Sequence, residues 1–188
     1  MRKYSKIIRI AVFIIVFASL SWTPVTASAE TWYHSAGTRG FQIQERPLWC
    51  WAAAARNMAV AKFTSVNVTK SQDDIVKKIK GSVVNEDATI YETSKAVNYC
   101  SKSGSSTAME SRLSFQLIKA QIVKQHAVIL GLQGIMNKHA TLIYGYDSDS
   151  TQVKVYDSQM GNIICSFADL RDGKTFSGYT YQETVYYN

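Results

Sequence analysis

The patterning of this chain changes once, near residue 126, from helical to stranded. That order restricts the fold more than any other feature. Four alanines, Ala52 to Ala55, followed by Arg56, Asn57, Met58 and Ala59, predict a strong helix. Ser71-Gln-Asp-Asp74 starts a second, with Ile75, Val76 and Ile79 on one face. Thr89 to Cys100 reads as a third, and Ser101 to Ser106 as a loop. Ser114 caps a fourth over Phe115–Lys124, whose apolar positions Phe115, Ile118 and Ile122 recur at helical spacing. From His126 onward strands dominate, over 126–132, 139–146, 152–157, 162–166 and 178–187. Helices first and strands later predict an α+β fold, with a helical half over about 44–125 and a β half over about 126–188.

The front of the chain is read separately. Arg2, Lys3, Lys6 and Arg9 precede an apolar stretch of eleven residues, Ile10 to Leu20, then Pro24 and the small residues Ala27-Ser28-Ala29. A bilayer-spanning helix needs about twenty apolar residues, so residues 1–29 read as a cleaved secretory signal, with Glu30 opening the mature chain. The expected product is a secreted, extracellular protein with no membrane contact after cleavage. Its charge falls from +7 to +3, because the signal carries four bases and no acid. So small an excess does not argue for a nucleic-acid partner. Only residues 30–43 separate the signal from Gln44, too few to fold over a cleft as a prodomain.

The three cysteines, Cys50, Cys100 and Cys165, are an odd number for an exported chain and leave one thiol over. No C-x-x-C occurs, and His34, His126 and His139 form no H-x-x-x-H pair, so no metal or other cofactor is expected. Pro47 disfavours helix at the residue before it, which places the helix start close to Cys50 and the thiol in its first turn. Unpaired N–H groups and the macrodipole there favour a thiolate. From position alone, Cys50 reads equally as a small buried hydrophobe between Trp49 and Trp51. Gln44, six residues earlier, shifts the balance, because its side-chain amide can donate to a developing oxyanion beside the Cys50 N–H.

A reactive cysteine needs a histidine to take its proton. His34 sits in a polar arm and reads as exposed; His126 opens an apolar strand and reads as structural. His139 opens His-Ala-Thr-Leu-Ile-Tyr-Gly-Tyr-Asp, a strand ending in the polar turn Asp147–Ser150. The next strand, Gln152–Asp157, returns along it if the two form a hairpin. That brings Asp157 beside His139, where a carboxylate can accept the imidazole N–H.

Gln44, Trp49-Cys50-Trp51-Ala52-Ala53, His139 and Asp157 together resemble the papain-like cysteine peptidases. The match is to their compact bacterial branch, which includes peptidases that process bacteriocin leaders and secreted effector proteases. The resemblance covers roughly residues 40–170. It implies a papain-like fold: an N-terminal helical half with a central cysteine-bearing helix, and a C-terminal antiparallel β-sheet half. It also implies Cys50 as nucleophile, His139 as base and acid, Asp157 as orienter and Gln44 as oxyanion donor. One departure is the 89-residue spacing from Cys50 to His139, against about 130–150 in the larger papain-type enzymes.

The expected function is peptide-bond hydrolysis through a thioester acyl-enzyme, by a monomer acting on a peptide or protein and restrained by narrow specificity, a separate protein inhibitor or export. A cell-wall amidopeptidase or acyl transferase would use the same Cys-His pair, and a binding or toxin-like module would keep the fold without turnover. A disulfide between Cys100 and Cys165 would leave Cys50 as the lone thiol.

Overall fold

A helix rich in alanine can approach a sheet more closely than one with longer side chains, and that approach organises this molecule. The computed structural model describes residues 32–34, 38–63, 70–101 and 105–188. The expected signal at 1–29 lies outside them. The first helix, α1 (Cys50–Phe63), starts on the cysteine itself. Residues 50–61 are buried without interruption, so α1 is the centre of a layer rather than an amphipathic surface helix.

Two shorter helices pack beside it. Both α2 (Gln72–Lys80) and α3 (Ile90–Cys100) begin with a complete capping box: Ser71 with Asp74, and Thr89 with Glu92. Strand β2 (Ser106–Met109) follows, then α4 (Phe115–Val123), capped by Ser114. The β half contains β3 (Val128–Gln133), β4 (Lys138–Asp147), β5 (Gln152–Asp157), β6 (Gly161–Ser166), the short helix α5 (Phe167–Arg171) and β7 (Thr180–Tyr187). The sheet runs β2-β7-β3-β4-β5-β6, antiparallel throughout. A further strand, β1 (Trp32–His34), pairs with the far end of β4.

The two faces of the sheet carry separate cores. Ile129, Leu142 and Val185 face α1, α2 and α3; Val128, Leu130, Val155 and Tyr181 face the side covered by Ile118 and Ile122 of α4 and Leu170 of α5. Strand alternation generates this sorting. Bulges interrupt it in two strands: one between Ile143 and Gly145 puts Tyr144 in the first core and Tyr146 in the second, and one in β7 opposite Gly131 and Leu132 puts Tyr181 and Val185 in different cores. Gly145 is required where β1 arrives: a Cβ there would stand 2.8 Å from the Tyr33 carbonyl oxygen. This is the α+β arrangement expected from the order of elements.

Several expectations are corrected. Ser106, read as the end of a loop, opens β2, and His34, read as part of a polar arm, is half-buried within β1. Strand β3 begins at Val128 rather than 126, because Gln125, at φ 63°, and the His126 N–H, bonded to the Gln121 carbonyl, complete the turn out of α4. All three cysteines are free. Cys100 belongs to the first core and Cys165 packs against the second, so the sheet stands between them and no bridge forms.

The segment leading into α1 is held by side chains that imitate a strand. Asn57 accepts from the Gln42 N–H at 2.9 Å and donates to the Gln42 carbonyl at 2.9 Å, while Arg56 donates to the Gly40 carbonyl at 2.7 Å. Asn57 is 1% exposed. Asn57→Ala should therefore cost about 1–3 kcal/mol, measured by urea denaturation; an unchanged midpoint would mean that the clamp contributes nothing.

Candidate active site

The thiol of Cys50 is positioned by where α1 can begin. Arg46 to Trp49 form a turn, with the Trp49 N–H on the Arg46 carbonyl at 3.1 Å, and Pro47 inside it. The first-turn N–H groups beyond it have no partner within the helix, so Cys50 sits where backbone donors face outward.

His139 is the second residue of β4 and Asp157 the last of β5. Asp157 pairs in register with Thr141, two residues beyond His139, and two residues is the period that returns a strand to the same face. The His139 Nε2–H donates to Asp157 Oδ2 at 2.5 Å. Asp157 is fully buried, and its other oxygen accepts from the N–H groups of Gln159 and Met160 at 2.8 and 2.9 Å. Cys50 and His139 line the same narrow slot, and the thiol is close enough to add to the rise in the histidine's pKa. One imidazole thus bonds the end of β5 and faces the slot that the start of α1 lines.

Charge at this ring is set by competition. Burial disfavours the imidazolium, but the Asp157 carboxylate and the Cys50 sulfur outweigh it and raise the His139 pKa to about 9. Burial likewise raises Asp157, and His139 with the two backbone donors overcomes it, leaving the carboxyl below its usual range. Phe176 and Tyr179 wall the ring on its outer side, their centroids 5.9 and 6.0 Å away.

Gln44 is held next to the same hairpin. Its N–H donates to the Ser158 carbonyl at 2.7 Å, and its Oε1 accepts from the Ser158 hydroxyl at 2.8 Å. Its Nε2 donates to the carbonyls of Arg46 and Pro47, at 3.0 and 2.8 Å. The amide therefore braces the turn into α1. The other two histidines are elsewhere: Nδ1 of His126 lies 3.2 Å from the Gln121 side chain, and His34 pairs with Gly145, at the opposite end of β4 from His139.

A model of the Peptidase_C39 like family matches residues 38–172, most of the described chain and both ends of this geometry. The chain belongs to that family of cysteine peptidases. Among solved structures, a double glycine motif protease from an AMS/PCAT transporter, in complex with the leader peptide, is similar at 14% identity. The match covers 77% of this chain and 88% of that one, with a TM-score of 0.49. The Pseudomonas avirulence protein AvrPphB is similar at 10% identity, covering 80% of this chain and 98% of that one, with a TM-score of 0.36. Curated proteins give no match.

This Peptidase_C39-like chain uses its flanking tryptophans in a way the motif does not reveal. Trp49 and Trp51 are buried, and their indole N–H groups donate to the carbonyls of Val84 and Glu86, at 2.7 and 3.0 Å. They fix the irregular segment between α2 and α3, whose Asp87 and Ala88 wall a narrow slot beside Cys50 and His139. The opposite wall holds Gly131 and Glu183, the latter paired with Lys138 at 2.8 Å. Ser158, Asp87, Glu183, Phe176 and Tyr179 were not legible as site residues, because each reaches the site through tertiary contact rather than a local pattern. For Ser158 alone a signal existed, its place directly after Asp157.

The raised pKa of His139 makes stability depend on pH. The contribution of its charged form is complete below about 6.5, the unfolded value, and is lost as pH rises through about 9. Wild type should lose stability over that interval by urea denaturation, and Asp157→Ala should lose much less. Equal losses in the two proteins would contradict the pairing.

Proposed function

We propose that this protein is an exported peptidase in which Cys50, His139 and Asp157 act as a catalytic triad, with Gln44 as an oxyanion donor. The observation that carries the reading is the His139 ring, bonded to a buried carboxylate and sharing one slot with a thiol at a helix start. Export rests on the sequence of residues 1–29.

His139 already holds its proton, stabilised as an imidazolium by Asp157 through Nε2–H, and Cys50 reacts as the thiolate of that ion pair. The thiolate attacks the peptide carbonyl carbon. Charge develops on the carbonyl oxygen, where the Cys50 N–H and one Gln44 Nε2–H can meet it once that amide hydrogen leaves its loop carbonyl. His139 then protonates the leaving amine, and the carbon–nitrogen bond breaks to leave a thioester on Cys50. Water attacks the thioester with His139 as base, releasing the acid product and restoring the thiol. No added cofactor enters any step.

A thiol-directed peptidyl electrophile should label Cys50 far faster than it labels a free peptide thiol; equal rates would indicate a binding module without turnover. Cys50→Ala and His139→Ala should each abolish peptide hydrolysis in a folded protein, while Gln44→Ala should lose about 10²–10³ in rate. Wild-type turnover by Cys50→Ala would end the assignment.

Asp157→Asn keeps an acceptor oxygen but removes the charge that helps raise His139. It should preserve most of the peak rate and move the alkaline limb of the kcat/KM profile down from about 9. Asp157→Ala should lose more. A profile for Asp157→Ala indistinguishable from wild type would leave Asp157 with no part in the reaction.

A further inference from the structure

The two sides of His139 differ in chemistry. On the Cys50 side lies the narrow slot, bounded by Asp87, Lys138 and Glu183. On the far side a depression of about 390 Å³ is lined by His139 and Asp157 but not by Cys50. Its other walls are uncharged: Met160, Phe176 and Tyr179 supply the apolar surface, with Gln159, Thr175 and Ser177 between them. A second depression, of about 290 Å³, adjoins it, sharing Ser177 and Tyr179 and reaching Ile135 and Met136 at the tip of the β3–β4 hairpin.

That tip is unusual for a turn. Ile135 is 98% exposed and Met136 91% exposed, where polar residues and glycine ordinarily stand. Met160, at the other end, is 61% exposed. Single exposed apolar residues need no explanation, but an apolar series along one depression marks a binding surface. Tyr179 connects the parts. Its ring packs against His139 on one side and lies so close to Gly134 that a Cβ there would be 2.8 Å from it. The ring is thus a ridge between the two depressions, fixed by the hairpin and by the histidine itself.

The direction of the reaction decides what lies there. His139 protonates the leaving amine, so the substrate chain beyond the scissile bond departs on the histidine side, and the acyl portion remains on the Cys50 side. Resting on the peptidase reading above, we propose that the trough from Met160 and Phe176, over Tyr179, to Ile135 and Met136 binds the leaving segment of the peptide substrate and selects uncharged, apolar residues there. An extended peptide advances about 3.3–3.6 Å per residue, so the trough is read by several successive residues.

The test uses the full protein and a mixed peptide library, with cleavage sites read by mass spectrometry. Apolar residues should be enriched in the first few positions after the cut. Two substrates sharing one acyl peptide then isolate the trough: one carries an apolar peptide as leaving group, the other a small fluorogenic amine. The double variant Ile135→Asp/Met136→Asp should reduce the ratio of their kcat/KM values, extended over short, about tenfold. Cleavage without leaving-side enrichment, or an unchanged ratio, overturns the proposal while leaving the peptidase reading intact. Loss of both cleavage and electrophile labelling in wild type removes that reading and this inference together. Absence of leaving-side preference, with phospholipid vesicle binding that the double variant abolishes, would assign the tip to a membrane and overturn the proposal as well.

Discussion

A carboxylate with no exposure to water is the constraint from which the site follows. An isolated buried charge of this kind is costly unless paired and hydrogen bonded. Asp157 has four acceptor sites, and the fold supplies the His139 ring and the N–H groups of Gln159 and Met160 to meet three of them. Each partner depends on register. His139 faces Asp157 because Thr141 is its backbone neighbour, and a shift of one residue would turn the imidazole to the opposite face of the sheet. The two backbone donors come from the turn that immediately follows β5. Removing any part of this arrangement leaves charge in the interior without compensation.

The helical half meets that hairpin through small side chains and short turns. Alanines bring α1 against the sheet, and Trp49 and Trp51 anchor the opposite cleft wall by their indole donors. Ser158, next to Asp157, holds Gln44, which in turn braces the Arg46–Pro47 turn before Cys50. Packing, hydrogen bonding and the imidazole therefore converge on one point where the two halves meet. Separate cores on the two faces of the sheet let the remainder of the chain support this point without entering it.

Much of this was legible because it is local. Pro47 and the alanine run mark the start of α1, Ser71, Thr89 and Ser114 mark three further helix starts, and alternation with a polar turn places Asp157 beside His139. What was missed depends on distant partners. β1 and β2 have three and four residues, too few for a period to emerge, and both exist through pairing with β4 and β7. The suggested Cys100–Cys165 bridge failed because cysteine counting carries no information about which face of a sheet a residue occupies. Phe176 reaches His139 from a connection that shows no pattern of its own, and Tyr179, read as part of the last strand, stands just before β7 begins at Thr180.

The central claim is that His139 holds its proton between Asp157 and Cys50 well beyond ordinary pH. A titration of the His139 ring by NMR, in the intact protein labelled at histidine, tests it directly. The account predicts a pKa of about 9 in wild type, falling in Asp157→Ala as the carboxylate is removed. A ring that titrates near 6.5 and does not respond to Asp157→Ala would contradict it.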